Sequence, residues 1–338
     1  MHGLSFAGFS CIIRSGAKTQ ELYLYKRGFM DVIKVFQQMI VMFSLMGIGF
    51  FLSRKKFFSE NATVDFSKMI AEVCNPVLLI CKVFDRDSTA TTSDLLFAVL
   101  VAVIYYVVLI GVSMILPRLI RARRSDIKFY KMLSIYGNIG FMGIPLISAV
   151  MGGTAVIYLS IFIVVFNLLV YTYGVKVIAS DSENVKKQFE WKRMINPGTV
   201  ASLLAIVFVL TGIKIPLLVN DTLQYIGAGT TFLSMAVIGM ALAQIPFKEL
   251  FSESKLYIFA GIRYLILPIV VAFCLKPVLS NQTLLGVIVL TLALPAANLP
   301  LMLAEQYEVE TKLLAKGIIL TTLLSVVTVT VASWVLAL

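Results

Sequence analysis

Residues 137–146 read Gly-Asn-Ile-Gly-Phe-Met-Gly-Ile-Pro-Leu, and residues 294–301 read Leu-Pro-Ala-Ala-Asn-Leu-Pro-Leu. Each stretch lies inside a long apolar run and places proline, small residues and an amide where a membrane-crossing helix would be near mid-depth. Proline removes a backbone donor and clashes with the carbonyl four residues back, and glycine lets the chain unwind. In lipid such a break persists only where protein or a watery cavity satisfies the freed groups. The expectation is a polar centre in an apolar slab. The second half of each broken helix would present free N–H donors and a partial positive charge there. With the amides of Asn138 and Asn298, those ends suit an anion.

The rest of the chain fits a membrane setting. Of its 338 residues 59% are hydrophobic and 14% charged, with mean hydropathy +0.93; soluble domains are near 45–50% apolar and about 25% charged. Apolar runs of span length fall at residues 31–52, 62–83, 93–117, 129–151, 154–178, 198–214, 223–245, 256–275, 282–304 and 312–337. Without continuous alternation they read as helices, not barrel strands. The fold expected is all-α, integral to the membrane, with ten transmembrane helices, the fourth and ninth broken at prolines.

Several chemistries lack their residues. His2 is the sole histidine, so a Ser-His-Asp triad, a histidine-held metal and a haem are not expected. Cys11, Cys74, Cys81 and Cys274 show no C-x-x-C spacing and read as packing residues. No phosphate-binding G-x-x-x-x-G-K-[ST] occurs, which argues against ATP-driven pumping. No cofactor or metal is expected, and no intramembrane enzyme.

Loops after the odd-numbered spans hold eighteen Lys and Arg, and the remaining loops four including Lys82. That asymmetry puts the odd loops in the cytoplasm and both termini outside, in a cell (plasma) membrane. The net charge of +11 is thus an orientation signal, not a nucleic-acid footprint. Residues 1–29 break the pattern and lack a signal-peptide core; they read as a non-structural leader or a mis-assigned start, with Met30 opening onto the first span. Five spans, residues 30–179, precede a cytoplasmic linker at 180–196, and five follow at 197–338. An odd number per half forces opposite orientations, the arithmetic of an inverted repeat. Aligning Pro145 with Pro300 sets Gly143 opposite Asn298 and Gly140 opposite Pro295.

The segment Asn-x-Gly-Phe-x-Gly-x-Pro-Leu at 138–146, the looser match at 295–307 and the five-plus-five charge pattern resemble the auxin efflux carrier family, including its bacterial permeases. The resemblance spans essentially residues 30–338. It implies two inverted five-helix repeats, a scaffold and a transport domain, helices four and nine crossing at their proline breaks, and small organic anions, carboxylates, as substrates. Asn138 and Asn298 are the positions it carries to the crossover, with Gly140, Pro145, Pro295 and Pro300 around them. The short central loop departs from the long one common in plant carriers, so regulation through it is not implied.

Other polar residues in spans have two readings each. Glu72 is a proton-coupling candidate or a partner for Lys68 one turn earlier. Arg263, five residues before Pro268, holds a substrate carboxylate bidentately or snorkels to the cytoplasmic surface. Asn75, beside Pro76, joins the site; Asn167 reads more simply as a bridge between helices. Gly227 and Gly229 read as packing contacts, and Glu305, Glu308 and Glu310 as a solvated face. A cation/proton antiporter is disfavoured because neither broken segment contains Asp or Glu. A sodium- or proton-coupled anion symporter, an anion channel and a homodimer stay open. A leader absent from the native protein predicts an N-terminal mass, for protein made at the native locus, that excludes residues 2–29; a mass that includes them overturns that reading.

Overall fold

The computed structural model describes residues 32–59, 61–84, 91–178, 195–213, 216–244, 253–307, 309 and 312–338. The leader at 1–29, residues 180–194 of the linker, and Glu308 and Glu310 lie outside the described residues. Among those described there is no strand, and helices occupy all ten apolar stretches. They are α1 (Val32–Arg54), α2 (62–84), α3 (Thr92–Leu119), α4 (Ile127–Ile135), α5 (Ile139–Met151), α6 (Gly153–Ile178), α7 (Pro197–Thr211), α8 (Leu217–Ala243), α9 (Ser254–Leu275), α10 (Gln282–Ala293), α11 (Leu299–Gln306) and α12 (Lys312–Ala337). Six of them, α1, α3, α6, α8, α9 and α12, are long and apolar enough to cross a membrane.

The surface carries the imprint of a hydrocarbon solvent. On α3, Leu96, Leu100, Val107, Ile115 and Leu119 are each more than half exposed, while Leu95, Ala98, Ala102, Tyr105 and Leu109 are buried. Both faces are apolar, so no polar stripe turns outward as it would in water. In a membrane the exposed set meets lipid at no hydrophobic cost.

Two packed sets emerge. In one, α2 packs on α7 and α8, and α1 crosses α8 where Gly49 lies against Ala236 and Gly239 against Met46. In the other, α3 packs on α4, α9 on α10, and α12 on α10, α9 and α4. α6, most of it buried, lies against both, touching α3 on one side and α2 and α7 on the other. Each set draws helices from both halves of the chain.

Prolines act differently from the sequence expectation. Three segments of π-helix, Ile70–Cys74, Ile139–Gly143 and Gly261–Ile266, each end two residues before a proline, Pro76, Pro145 and Pro268. A proline cannot donate to the carbonyl four residues back, and that carbonyl (of Glu72, Phe141 or Tyr264) lies inside the widened turn each time. These prolines therefore widen their helices without breaking them. The interruptions lie at residues 136–138 between α4 and α5, ahead of Pro145, and between α10 and α11 at 294–298, a stretch that contains Pro295. Pro145 begins the α-helical part of α5 (Ile144–Met151), whereas Pro300 is the second residue of α11. The residue immediately before the helix is Asn138 for α5 and Asn298 for α11, so matching the helix starts pairs these two asparagines, whereas the proline alignment pairs Gly143 with Asn298.

The glycines of α8 also divide. A Cβ on Gly239 would run into the Met46 carbonyl, one on Gly227 would reach ordinary contact with Leu78, and one on Gly229 would meet nothing. Gly227 is a packing contact as expected; Gly229 is not. Gly239→Ala is expected to cost about 1–3 kcal/mol through overpacking, read as a lower melting temperature of the purified protein, while Gly229→Ala holds or raises it. Equal melting of the two variants would contradict the close α1–α8 contact.

Candidate functional site

The two interruptions meet. Gly137 and Ala296 form an isolated antiparallel bridge; Asn138 N–H donates to the Pro295 carbonyl at 2.7 Å, and Ala297 N–H to the Tyr136 carbonyl at 2.9 Å. Extended backbone that would be costly in lipid thus satisfies itself across the pair. Ala296 N–H donates to Thr321 Oγ1 on α12 at 3.1 Å, and Tyr136 OH donates to the Leu169 carbonyl of α6 at 2.9 Å. Gly143 packs against Leu294 of the opposite interruption, and a Cβ on Gly137 would sit 3.3 Å from the Thr291 carbonyl.

Beside this junction lies a cavity of about 280 Å³, lined among others by Asn75, Asn138, Asn167, Asn196 and Asn298. Asn138 is 5% exposed, and its Oδ1 accepts from Phe141 N–H at 3.2 Å, capping α5; its amide nitrogen is left as a donor. Asn298 precedes α11, and its backbone carbonyl accepts from Leu301 and Met302. Asn196 caps α7 through Thr199 N–H at 3.0 Å, with Pro197 and Gly198 also on the wall. Three helix N-termini, those of α5, α7 and α11, therefore border one cavity, each adding partial positive charge. Asn75, 7% exposed, has a buried Oδ1 without a partner, and its Nδ2 would lie 3.5 Å from a Cβ on Gly140.

Of the residues singled out from sequence, Asn138, Asn298, Asn75, Gly140 and Glu72 line this cavity. Pro145, Pro295 and Pro300 are buried outside it, Pro295 contributing its carbonyl to the junction. Glu72 corrects the reading of a carboxylate buried in a span. It is exposed, with Lys68 exposed on the same wall, and no ion pair joins the two. The π-turn Ile70–Cys74 changes the i, i+4 register that would have paired them. Asn167, read as a bridge between helices, is buried and lines the cavity. Asn196 was missed because it was assigned to the linker; the pair Asn196-Pro197 is a helix-start signal that could have exposed it.

Arg263 is the largest correction. It neither snorkels nor lines the cavity: it is 0% exposed, on the π-segment of α9. Its Nε donates to the Ser134 carbonyl at 2.6 Å and its Nη1 to the Leu292 carbonyl at 3.0 Å. Both carbonyls lie in the last turns before the interruptions, of α4 and α10, where helix carbonyls lose their intrahelical partners. Tyr264 OH takes the Leu133 carbonyl, and Thr328 Oγ1 the Ala293 carbonyl at 2.8 Å. The guanidinium also stands over the Tyr264 ring, 4.8 Å from its centroid.

Each of the four π-segments among the described residues contributes to this region: Glu72, Gly140 and Tyr171 to the wall, and Arg263 to the capping. π-turns often mark functional sites because they re-aim side chains without ending a helix. No cluster of metal-ligating side chains occurs among the described residues.

The chain is similar to known membrane proteins. An uncharacterized transporter of Methanocaldococcus jannaschii is 26% identical over 218 residues, 61% of this chain and 67% of its own length. The uncharacterized transporter YfdV of Escherichia coli is 21% identical over 280 residues, 79% of this chain and 87% of its own. The family model described as membrane transport protein matches residues 34–333, the whole of both interruptions and of the cavity wall. An all-helical, multi-pass chain that matches that model over nearly its full length belongs to this family of membrane transport proteins, the auxin efflux carrier family.

Proposed function

We propose that the protein is a secondary carrier for small organic anions, carboxylates above all, working by alternating access in the cell membrane. The observation that carries this reading is the convergence of three helix N-termini and five asparagines on one small cavity. Among the described residues of its wall Lys68 and Glu72 cancel in formal charge, which leaves the helix ends and the amide donors to favour an anion. At about 280 Å³ it suits a small acid. In this reading α4–α5 and α10–α11 are each one interrupted membrane-crossing helix, and the ten stretches form two inverted five-helix repeats, 30–179 and 197–338. Their crossing gives the anion site, and the α1, α2, α7 and α8 set is the scaffold.

The charge asymmetry of the loops supports an orientation with both termini outside. The cavity wall comes from the start of α2, the end of α6 and the start of α7, which this orientation turns to the cytoplasm. The conformation is therefore read as inward-facing. A coupled symporter is the second reading. It is favoured by Glu72, a carboxylate on the cavity wall able to take up a proton as the anion binds.

Radiolabelled malate, malonate, lactate and indole-3-acetate would be offered to proteoliposomes under a potassium-diffusion potential of either sign. Saturable, potential-sensitive uptake with counterflow is expected; conductance without counterflow would mean a channel. Asn138→Asp keeps the capping oxygen of α5, removes the amide donor and adds a negative charge. Its kcat/KM should fall at least tenfold with melting little changed, because the oxygen that accepts from Phe141 N–H is kept and Asp caps a helix as well as Asn does. Undiminished uptake would move the anion site elsewhere. For orientation, Lys68→Cys in a cysteine-free chain should react with an impermeant maleimide from the cytoplasmic side, and reaction from the outside alone would reverse the topology.

A further inference from the structure

Two C-termini, those of α4 and α10, reach the junction from which the N-termini of α5 and α11 leave. Each helix end carries about half an elementary charge, positive at the N-terminus and negative at the C-terminus. Taken alone, the four ends cancel, and the junction would favour neither sign. Arg263 removes that symmetry. It is fully buried and forms no ion pair among the described residues, yet it donates to one carbonyl at each C-terminus, Ser134 of α4 and Leu292 of α10. Two half-charges of negative sign add to about one, the charge of a single guanidinium.

We infer that Arg263 sets the anion preference of the transport site without touching the substrate, by neutralising the two C-terminal dipoles and leaving the N-terminal ones uncompensated. It is a positioning and field-setting residue for the anion-carrier reading, on which this inference rests. The match explains how an arginine survives at full burial without a carboxylate, a situation that otherwise costs several kcal/mol. The planar fork matters as well. Nε and Nη1 reach two helices at once and hold the interruptions in register, which a lysine's point charge does less well. Nη2 makes no hydrogen bond; the two carbonyls, the Tyr264 ring and the neighbouring buried Tyr105 hydroxyl hold the group.

The test separates charge from scaffolding. Arg263→Lys keeps the positive charge with fewer donors; Arg263→Gln keeps an N–H donor without charge. Both would be purified, checked for melting, and assayed in proteoliposomes with malonate as a dianion and lactate as a monoanion. If the field is the function, Arg263→Lys keeps a KM near that of the parent even where kcat falls. Arg263→Gln then raises KM on the order of tenfold for lactate and by roughly the square of that factor for malonate, since the energy scales with ligand charge. Equal KM changes in the two variants, or changes independent of ligand charge, overturn the inference while leaving the carrier reading intact. Should Arg263→Gln fail to fold, the comparison of lactate with malonate in Arg263→Lys still decides. A KM that rises equally for both acids there marks a geometric role and overturns the field, whereas an unchanged KM for both supports it. A parent protein with no saturable uptake of any acid overturns the carrier reading and this inference together.

Discussion

Backbone polarity at membrane depth is the constraint from which the rest of the structure follows. A chain that stops being helical in hydrocarbon must find a partner for every N–H and C=O it releases. Here residues 136–138 and 294–298 find them in each other, in Thr321, and in the side chains of α9 and α12. Paired carbonyls at the C-termini and donor-rich N-termini at the cavity are two sides of one arrangement. Polar groups are placed at the centre because they are expensive there, and the expense is offset on only one side of the junction.

Much of this was legible in the sequence and some was not, for definite reasons. The ten apolar stretches are read locally, from composition over about twenty residues, and helices fill each one. Asn138 and Asn298 stood out because an amide inside an apolar run is conspicuous, and both line the cavity. Proline marks the interruption in one case only: Pro295 lies in the break at 294–298, whereas the break at 136–138 precedes Pro145 by several residues. Pro76, Pro145 and Pro268 instead shift the hydrogen-bond pattern to a π-turn, and a widened helix looks the same in sequence as a broken one. Glu72 was misplaced for that reason too, since a π-turn alters which face a residue occupies.

Arg263 was illegible for a different reason. Its partners, Ser134 and Leu292, are main-chain carbonyls distant in sequence. Carbonyls have no identity in a sequence, so no pattern of residue types could announce the contact. Asn167 is similar, brought to the cavity by the packing of α6 on α7; Asn196 differs, since its place before Pro197 marks a helix start even though the cavity it borders is set by packing. Long-range packing, not local chemistry, decides which polar side chains in a bundle share a wall.

The bridge between Gly137 and Ala296 has a mechanical consequence. Backbone hydrogen bonds across it, with the clamp of Arg263 on both preceding helices, join α4, α5, α10 and α11 into one body. In the proposed carrier a ligand held at their ends would ride with them, and its path length would equal the displacement of that body. The resistance to such a stroke would then be friction at the seam where α6 bears on α2 and α7. In that reading turnover rate and ligand affinity depend on different surfaces of the same molecule.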